Sequence, residues 1–332
     1  MKKFLIKLLI YCVVFTAIPA IVCASVDPYN VMHPLSIRQN GVEPNKNYIK
    51  MTYILENPEK FDSFVFGSSR VGNIHVENIP DERCYNMTYS YGSPDQHLPN
   101  IRTFVENGII PKKIYIGVDS LSYTSDPSET MTGFRMPYEY LTENPLAFMK
   151  NYLDPAVVGR AIMTVEKTSA ESADAYAERF YKYGWNRDYN YKTAYDFTNA
   201  KPDIGRAMRM DETLDNIAEI VEICEANGIE LVIFTNPMHP VTYKESLNRD
   251  YLDFLRRLAD ITPYYNFSGY NDITTDNKNF IDNSHYTAEV SDMLIECMCN
   301  GKKYDGLYEQ GFGQYVTADN ADEFISLLES QI

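Results

Sequence analysis

The chain has 332 residues, 45% hydrophobic and 23% charged, with 30 Lys and Arg against 46 Asp and Glu for a net charge of −16. That length suits one large domain or two ordinary ones, and the apolar content excludes an extended disordered chain; no internal repeat stands out. The acid excess excludes a nucleic-acid binder, which needs clustered Lys and Arg, and the six cysteines form neither a disulfide framework nor a zinc-ligand spacing.

Residues 1–24 carry Lys2, Lys3 and Lys7, no acid, and an uncharged apolar run from Leu8 to Ala24. Phe4 to Ala24 supplies the ~20 residues a bilayer core requires if Lys7 extends its amine to the interface. A basic flank first places the N-terminus in the cytoplasm and the rest of the chain outside. The segment also reads as a cleaved signal peptide, with small residues around Val22-Cys23-Ala24 and Pro19 before them. An uncleaved single-pass anchor through residues 4–24 is the expectation, with the main domain extracytoplasmic; secretion after cleavage is the alternative. Residues 25–332 keep all 46 acids but only 27 bases, a net charge of −19.

Residues 25–58 read as a linker, with Pro28, Pro34 and Pro44, and a lead-in helix; the main domain is expected over 59–332. Phe61 to Phe66 reads as a buried strand ending in Gly67-Ser68-Ser69-Arg70. Pro94 opens a helix with Leu98, Ile101 and Val105 on one side, stopping at Asn107-Gly108. Lys113 to Gly117 is the next strand. From about 125 to 210 the pattern is helical and tyrosine-rich, an expected insertion or lid. Leu214, Ile217, Val221 and Cys224 then line one helix face, closed by Asn227-Gly228 and followed by a strand over 230–234. A helix over 243–258, a short strand over 264–267 and a final helix from about Thr287 complete the pattern. Strands alternating with helices predict parallel strands joined by crossovers, hence a layered α/β sheet. Ligands in such sheets bind beyond the carboxyl ends of the strands, the edge that holds Gly67-Ser68-Ser69, Asp119 and Asn236.

Ser69 sits on a tight turn after a buried strand, where its hydroxyl is exposed beside a backbone N–H; the same residues also make an ordinary glycine-serine turn. His285 follows Asp282 by three residues, a spacing that lets the carboxylate reach Nδ1 and aim Nε2 at a nucleophile. An Asp that caps a helix, with a His merely exposed near its start, gives the same spacing. His239, in Asn236-Pro-Met-His239-Pro, is placed either to touch substrate or to hold its loop. Arg70 is placed either to bind a substrate carboxylate or phosphate or to pair with an acid of the chain. His75, His97, His239 and His285 lack paired ligand spacing and no phosphate-binding glycine loop occurs, so neither metal nor cofactor is expected. The 27 tyrosines and Trp185 invite a sugar-stacking surface, but most of them read as packing and surface residues.

Gly67-Ser68-Ser69 after the first strand, Asn86 and Gly92, the strand ending Gly117-Val118-Asp119, and Asp282-x-x-His285 together resemble the ordered blocks of the SGNH/GDSL hydrolase superfamily. With one N-terminal membrane segment, the chain looks closest to the membrane-anchored branch of DltD-like and alginate O-acetylation proteins. The resemblance implies a three-layer α/β sandwich with a parallel sheet, flavodoxin-like in outline. It also implies Ser69 as nucleophile, Asp282 and His285 as its partners, and Gly92 and Asn86 in the oxyanion site. Asp119 stands where the family has asparagine, and an ionised carboxylate opposes an oxyanion. It therefore binds something else, is held protonated, or leaves the oxyanion to the backbone. The implied activity is an extracytoplasmic serine acyltransferase or esterase acting on an acyl group of a cell-envelope polysaccharide. The implied partners are that glycan and a membrane-bound O-acyltransferase. The alternative is a non-catalytic accessory protein that docks such an enzyme or binds the glycan. A charge of −19 favours a neutral or weakly charged glycan over a polyanionic teichoic chain.

Overall fold

A computed structural model describes residues 1–32, 42–126, 152–165 and 199–332, with the shorter pieces 38–39, 138, 150, 169–170 and 196–197. The chain divides into two compact units, Met1–Tyr53 with Pro127–Ala177, and Ile54–Asp126 with Glu178–Ile332.

The first unit is built on an apolar helix, Lys2–Val26, which continues two residues past the expected end and accommodates Pro19 internally. The helix is long and apolar enough to cross a membrane, a test that a signal sequence also passes. Its last turn is partly buried: Cys23 and Val26 pack with Tyr29, Val31, Tyr152, Val157 and Ala161, the last two from the helix Pro155–Thr164. Arg38–Gln39 and Ser169–Ala170 pair as a two-residue antiparallel ladder. The lead-in helix expected within 25–58 is Lys46–Glu56. Most of the insertion expected over 125–210, Trp185 included, lies outside the described residues.

The second unit is an α/β fold around a mixed six-stranded sheet. Its strands are β1 Ser63–Phe66, β2 Cys84–Asn86, β3 Lys113–Val118, β4 Glu230–Thr235, β5 Tyr264–Asn266 and β6 Gln314–Val316. They lie in the order β2-β1-β3-β4-β5-β6, parallel except for β6, which runs antiparallel to β5. β1 is buried throughout, and its side chains alternate between two packing environments. Phe64 and Phe66 meet Phe104 of the helix Pro94–Glu106, with ring centroids 4.8 and 6.2 Å apart. Val65 joins Tyr115, Phe234, Val290 and Leu294 in a cluster that includes the helix Ala288–Asn300. Burial on both sides explains why the inner strands read as apolar runs rather than alternating patterns.

Several boundaries differ from the sequence expectation. In Met210–Asn227 the buried stripe is Leu214, Ile217, Ile220 and Cys224, so Ile220 rather than Val221 faces inward. In Pro94–Glu106, Phe104 rather than Val105 is buried. The helix expected over 243–258 is two helices, Pro240–Leu247 and Tyr251–Ile261, separated where Asp250 adopts φ 57°. A left-handed residue cannot continue an α-helix, and Asp is among the few side chains that tolerate one.

Strand order reverses across β1 and β3: the chain first goes outward from β1 to β2, then returns past β1 to β3. Parallel sheets open a crevice at such a switch point, beyond the carboxyl ends of the two strands. Ser69 follows β1 and Asp119 follows β3, so both belong to this crevice.

Candidate active site

β1 ends at Phe66, and Gly67 turns the chain with φ 154°. A Cβ at Gly67 would lie 2.4 Å from Val71 Cγ2, so glycine permits the tight return. The turn then closes as a single 3₁₀ segment, Ser69–Asn73, whose preceding residue Ser68 accepts a hydrogen bond from Arg70 N through its hydroxyl. Ser69 is therefore the first residue of a short turn seated on the end of a buried strand. On the other side, the loop ahead of Ala288–Asn300 carries Asp282, Ser284 and His285.

These segments meet. Ser69 Oγ is 2.9 Å from His285 Nε2, and His285 Nδ1 is 2.9 Å from each carboxylate oxygen of Asp282. With the Nδ1 proton directed at Asp282, Nε2 accepts the Ser69 hydroxyl proton. Asp282 also accepts from the backbone N–H groups of Ser284 and His285, both at 2.8 Å. It thus fixes the local turn and holds the imidazole; the helix Ala288–Asn300 starts later, with Thr287 at its N-cap, so Asp282 does not cap it. Burial by itself pushes the Asp282 carboxyl up. The hydrogen bond and charge of His285, with the two backbone donors, outweigh that and hold it below its ordinary value.

Arg70, the residue after Ser69, has no solvent exposure and faces inward. Its Nη1 donates to Asp119 Oδ1 at 2.6 Å, its Nε donates to Ser284 Oγ at 3.0 Å, and its Nη2 donates to the Asp203 carbonyl. The Asp203 carboxylate lies 3.6 Å from Nη2 and accepts the Ser284 hydroxyl. Burial pushes the guanidinium pKa down, but Asp119 and Asp203 more than compensate, and the group is held above its ordinary value. Arg70 is engaged by the chain's own acids, the second of the two alternatives open to it in the sequence. It joins the turn bearing Ser69 to the residue beside His285.

Asp119 resolves in the same network. Besides Arg70 it accepts from Asn236 Nδ2 at 2.8 Å and from the backbone N–H of Leu121 at 2.7 Å. Of the three alternatives open to this carboxylate, the observed one is that it binds something else, namely the buried guanidinium. The two expected oxyanion residues are also engaged. Gly92 N–H donates to Tyr89 O at 3.1 Å within its own turn. A Cβ on Gly92 would stand 2.5 Å from the Gly67 carbonyl oxygen, so its role here is close backbone approach under the Ser69 turn. Asn86 Oδ1 accepts from Thr88 N at 3.0 Å, and its Nδ2 lies 3.4 Å from Gly72 O.

His239 caps the helix Pro240–Leu247, accepting from Val241 N through Nδ1, while its Nε2 lies 2.9 Å from Asn277 Oδ1. Phe197 stacks on the ring at 4.2 Å and Phe280 meets it edge-on at 5.3 Å. Burial lowers its pKa despite the Asn277 contact. The loop-holding alternative for His239 is the one observed. A cleft of about 180 Å³ opens beside Asp282, lined by Asp196, Phe197, Asn199, Ala200, Asp282 and Asn283. Among the described residues, no group of three His, Cys, Asp or Glu side chains is placed to hold a metal ion.

Ser284 and Asp203 were not singled out by the sequence. Ser284 lay in view inside Asp282-x-x-His285, whereas Asp203 lies in a stretch whose pattern gives no sign of its distant partners. No family model matches the chain, and no curated protein matches it.

Proposed function

We propose that the chain is a serine acyltransferase or esterase of the SGNH type, acting outside the cytoplasm on an acyl ester of a cell-envelope polysaccharide. The observation that carries this reading is the continuous hydrogen-bonded relay Ser69–His285–Asp282 at the switch-point edge of the sheet. The three-layer, flavodoxin-like sandwich expected of that superfamily is supported by the β2-β1-β3-β4-β5 parallel order and by helix contacts to alternate residues of β1. Anchoring through Lys2–Val26, with the sheet unit outside, is supported by the apolar run behind three lysines.

In the mechanism that follows, Ser69 Oγ attacks the acyl carbonyl while His285 Nε2 takes its proton. Asp282 steadies the imidazolium by accepting from Nδ1. The tetrahedral adduct collapses, His285 returns the proton to the departing alcohol, and an acyl-Ser69 ester remains. A glycan hydroxyl or water, deprotonated by the same His285, attacks that ester. The acyl group moves to the acceptor or is released as the acid, and Ser69 regains its proton. The cleft beside Asp282 offers one approach for the acceptor.

The test is hydrolysis of a p-nitrophenyl acetate series by wild type, Ser69→Ala and His285→Ala. A pre-steady-state burst in wild type that vanishes in both variants, with folding retained, is the expected result. Equal turnover in all three would overturn the reading. One observation favours a second reading, an accessory protein that docks a membrane-bound O-acyltransferase: the Gly92 N–H and Asp119 are both engaged within the fold. It requires that Ser69→Ala leave envelope acylation unchanged in cells.

A further inference from the structure

The helix Pro155–Thr164 has the wrong composition for the surface of so acidic a chain. It packs Val157, Ala161 and Thr164 inward, the first two against Cys23 and Val26 at the end of the Lys2–Val26 helix. At 100° per residue an amphipathic surface helix would then show polar residues opposite. Instead the exposed positions of its C-terminal half are apolar apart from Arg160: Ile162 and Met163, with Val165 just past the end, are 57%, 71% and 54% exposed. Residues 155–165 contain no acid and a single charge, Arg160, whereas residues 25–332 carry −19.

The adjoining structure fixes this helix firmly. Asp27, fully buried, follows the apolar helix with φ 44°. Its carboxylate accepts from Val31 N at 3.1 Å, Met32 N at 3.0 Å and the Tyr152 hydroxyl at 2.5 Å. Asp154 then caps Pro155–Thr164 by accepting from Ala156 N at 2.8 Å. The exit of the apolar helix and the entry of Pro155–Thr164 are thereby joined within one compact unit. A helix tied to the last turn of a membrane-crossing helix sits at the level of the headgroups. With its inner face packed on the end of that helix, its apolar outer side, flanked by Arg160, is suited to the lipid interface.

We infer that Pro155–Thr164 is a membrane-surface helix, seating Ile162, Met163 and Val165 in the outer lipid interface beside the anchor. The inference rests on reading Lys2–Val26 as an uncleaved anchor. The occupant of the apolar face is lipid because the helix packs, through Val157 and Ala161, on the end of a helix whose own apolar side chains, such as Ile18 and Ile21, are exposed.

The test uses the full chain in phosphatidylcholine–phosphatidylglycerol vesicles. In a Cys12→Ser, Cys299→Ser background, Ile162→Cys, Met163→Cys and Val165→Cys are each labelled with a fluorophore. Asp319→Cys, at an exposed site of the sheet unit, is the aqueous reference, and a chain keeping only Cys12 as its labelled position is the deep reference. Quenching by shallow spin-labelled lipid at least threefold above the Asp319→Cys reference, with protection from iodide, is the expected result. Iodide quenching equal to the reference overturns the inference, as does disulfide cross-linking of these positions between copies in place of lipid contact. If Cys12 itself escapes lipid quenching, the anchor reading fails first and the inference with it, which separates the two failures.

Discussion

His285 is held from both sides, by Ser69 at Nε2 and by a two-oxygen contact from Asp282 at Nδ1. Replacing Asp282 by Asn keeps the volume but inverts the hydrogen-bond polarity, so the ring adopts the wrong tautomer. Asp282→Asn is expected to slow ester turnover about 10³–10⁴-fold while far-ultraviolet circular dichroism is unchanged. Because the Asp282 carboxyl titrates below its ordinary value, its contribution to stability is present above the unfolded carboxylate range, ~4, and fades as pH falls through the lower folded value. Arg70 is a positioning residue: it touches Asp119, Asp203 and Ser284 but neither Ser69 Oγ nor the His285 ring. Arg70→Met leaves Asp119 as an uncompensated buried charge and is expected to cost about 3–5 kcal/mol in urea unfolding. Arg70→Met with Asp119→Leu is expected to regain most of that stability. The ester turnover should stay low in the double variant, since nothing then ties the Ser69 turn to Ser284; full recovery of turnover would contradict the positioning role.

At the scale of elements, the helix Pro94–Glu106 places His97 fully buried beneath the Gly92 turn, beside the rings of Phe66 and Tyr89. Its Nδ1 lies 3.5 Å from the Tyr89 hydroxyl, and its Nε2 has no hydrogen-bond partner among the described residues. Burial lowers its pKa to about 3. The unfolded chain binds a proton there below about 6.5 and the folded chain does not until about 3, so stability falls as pH drops through that window. The loss reaches at most about 5 kcal/mol. Urea unfolding at pH 7 and pH 4.5 is expected to show a steeper acid loss in wild type than in His97→Phe. Parallel slopes would remove His97 as the cause.

The same elements mark what was legible beforehand. Met210–Asn227 declared itself through the spacing of Leu214, Ile217 and Cys224 and through Gly228, which caps it with φ 67°. The three-residue strands β2 and β6 are too short to show a period and both escaped, whereas β5, equally short, was expected over 264–267 between two helices. Ser69, Asp282 and His285 were legible because each sits at a strand end or in a short local motif. The purpose of Asp119 was not, because its partner Arg70 is 49 positions away and only the pairing of β1 with β3 unites them. Residue type alone marked Asp119 as a departure from the pattern of the superfamily the sequence resembles; the fold shows what it binds.

Across the whole molecule, the two ends of the charge distribution have different consequences. Three lysines lie in the first two turns of the apolar helix, and residues 25–332 carry −19. Cleavage after Ala24 would remove Cys23 from the cluster it shares with Tyr152 and Val157, so the mature chain is expected to retain residues 1–24. Intact mass of membrane-extracted protein beginning at Ser25 would contradict this. An acidic unit also favours a neutral acceptor: turnover with a neutral glycan is expected to be nearly independent of salt. A polyanionic acceptor would be expected to gain as salt screens the repulsion.

The central claim is that Ser69 is a nucleophile activated by His285. Peptide mapping after reaction of the full chain with a fluorophosphonate tests it most directly. The expected result is a single adduct on Ser69, absent in Ser69→Ala and slowed at least 100-fold in His285→Ala. An unlabelled Ser69 in folded wild-type protein, or a reaction rate indifferent to His285→Ala, would contradict it.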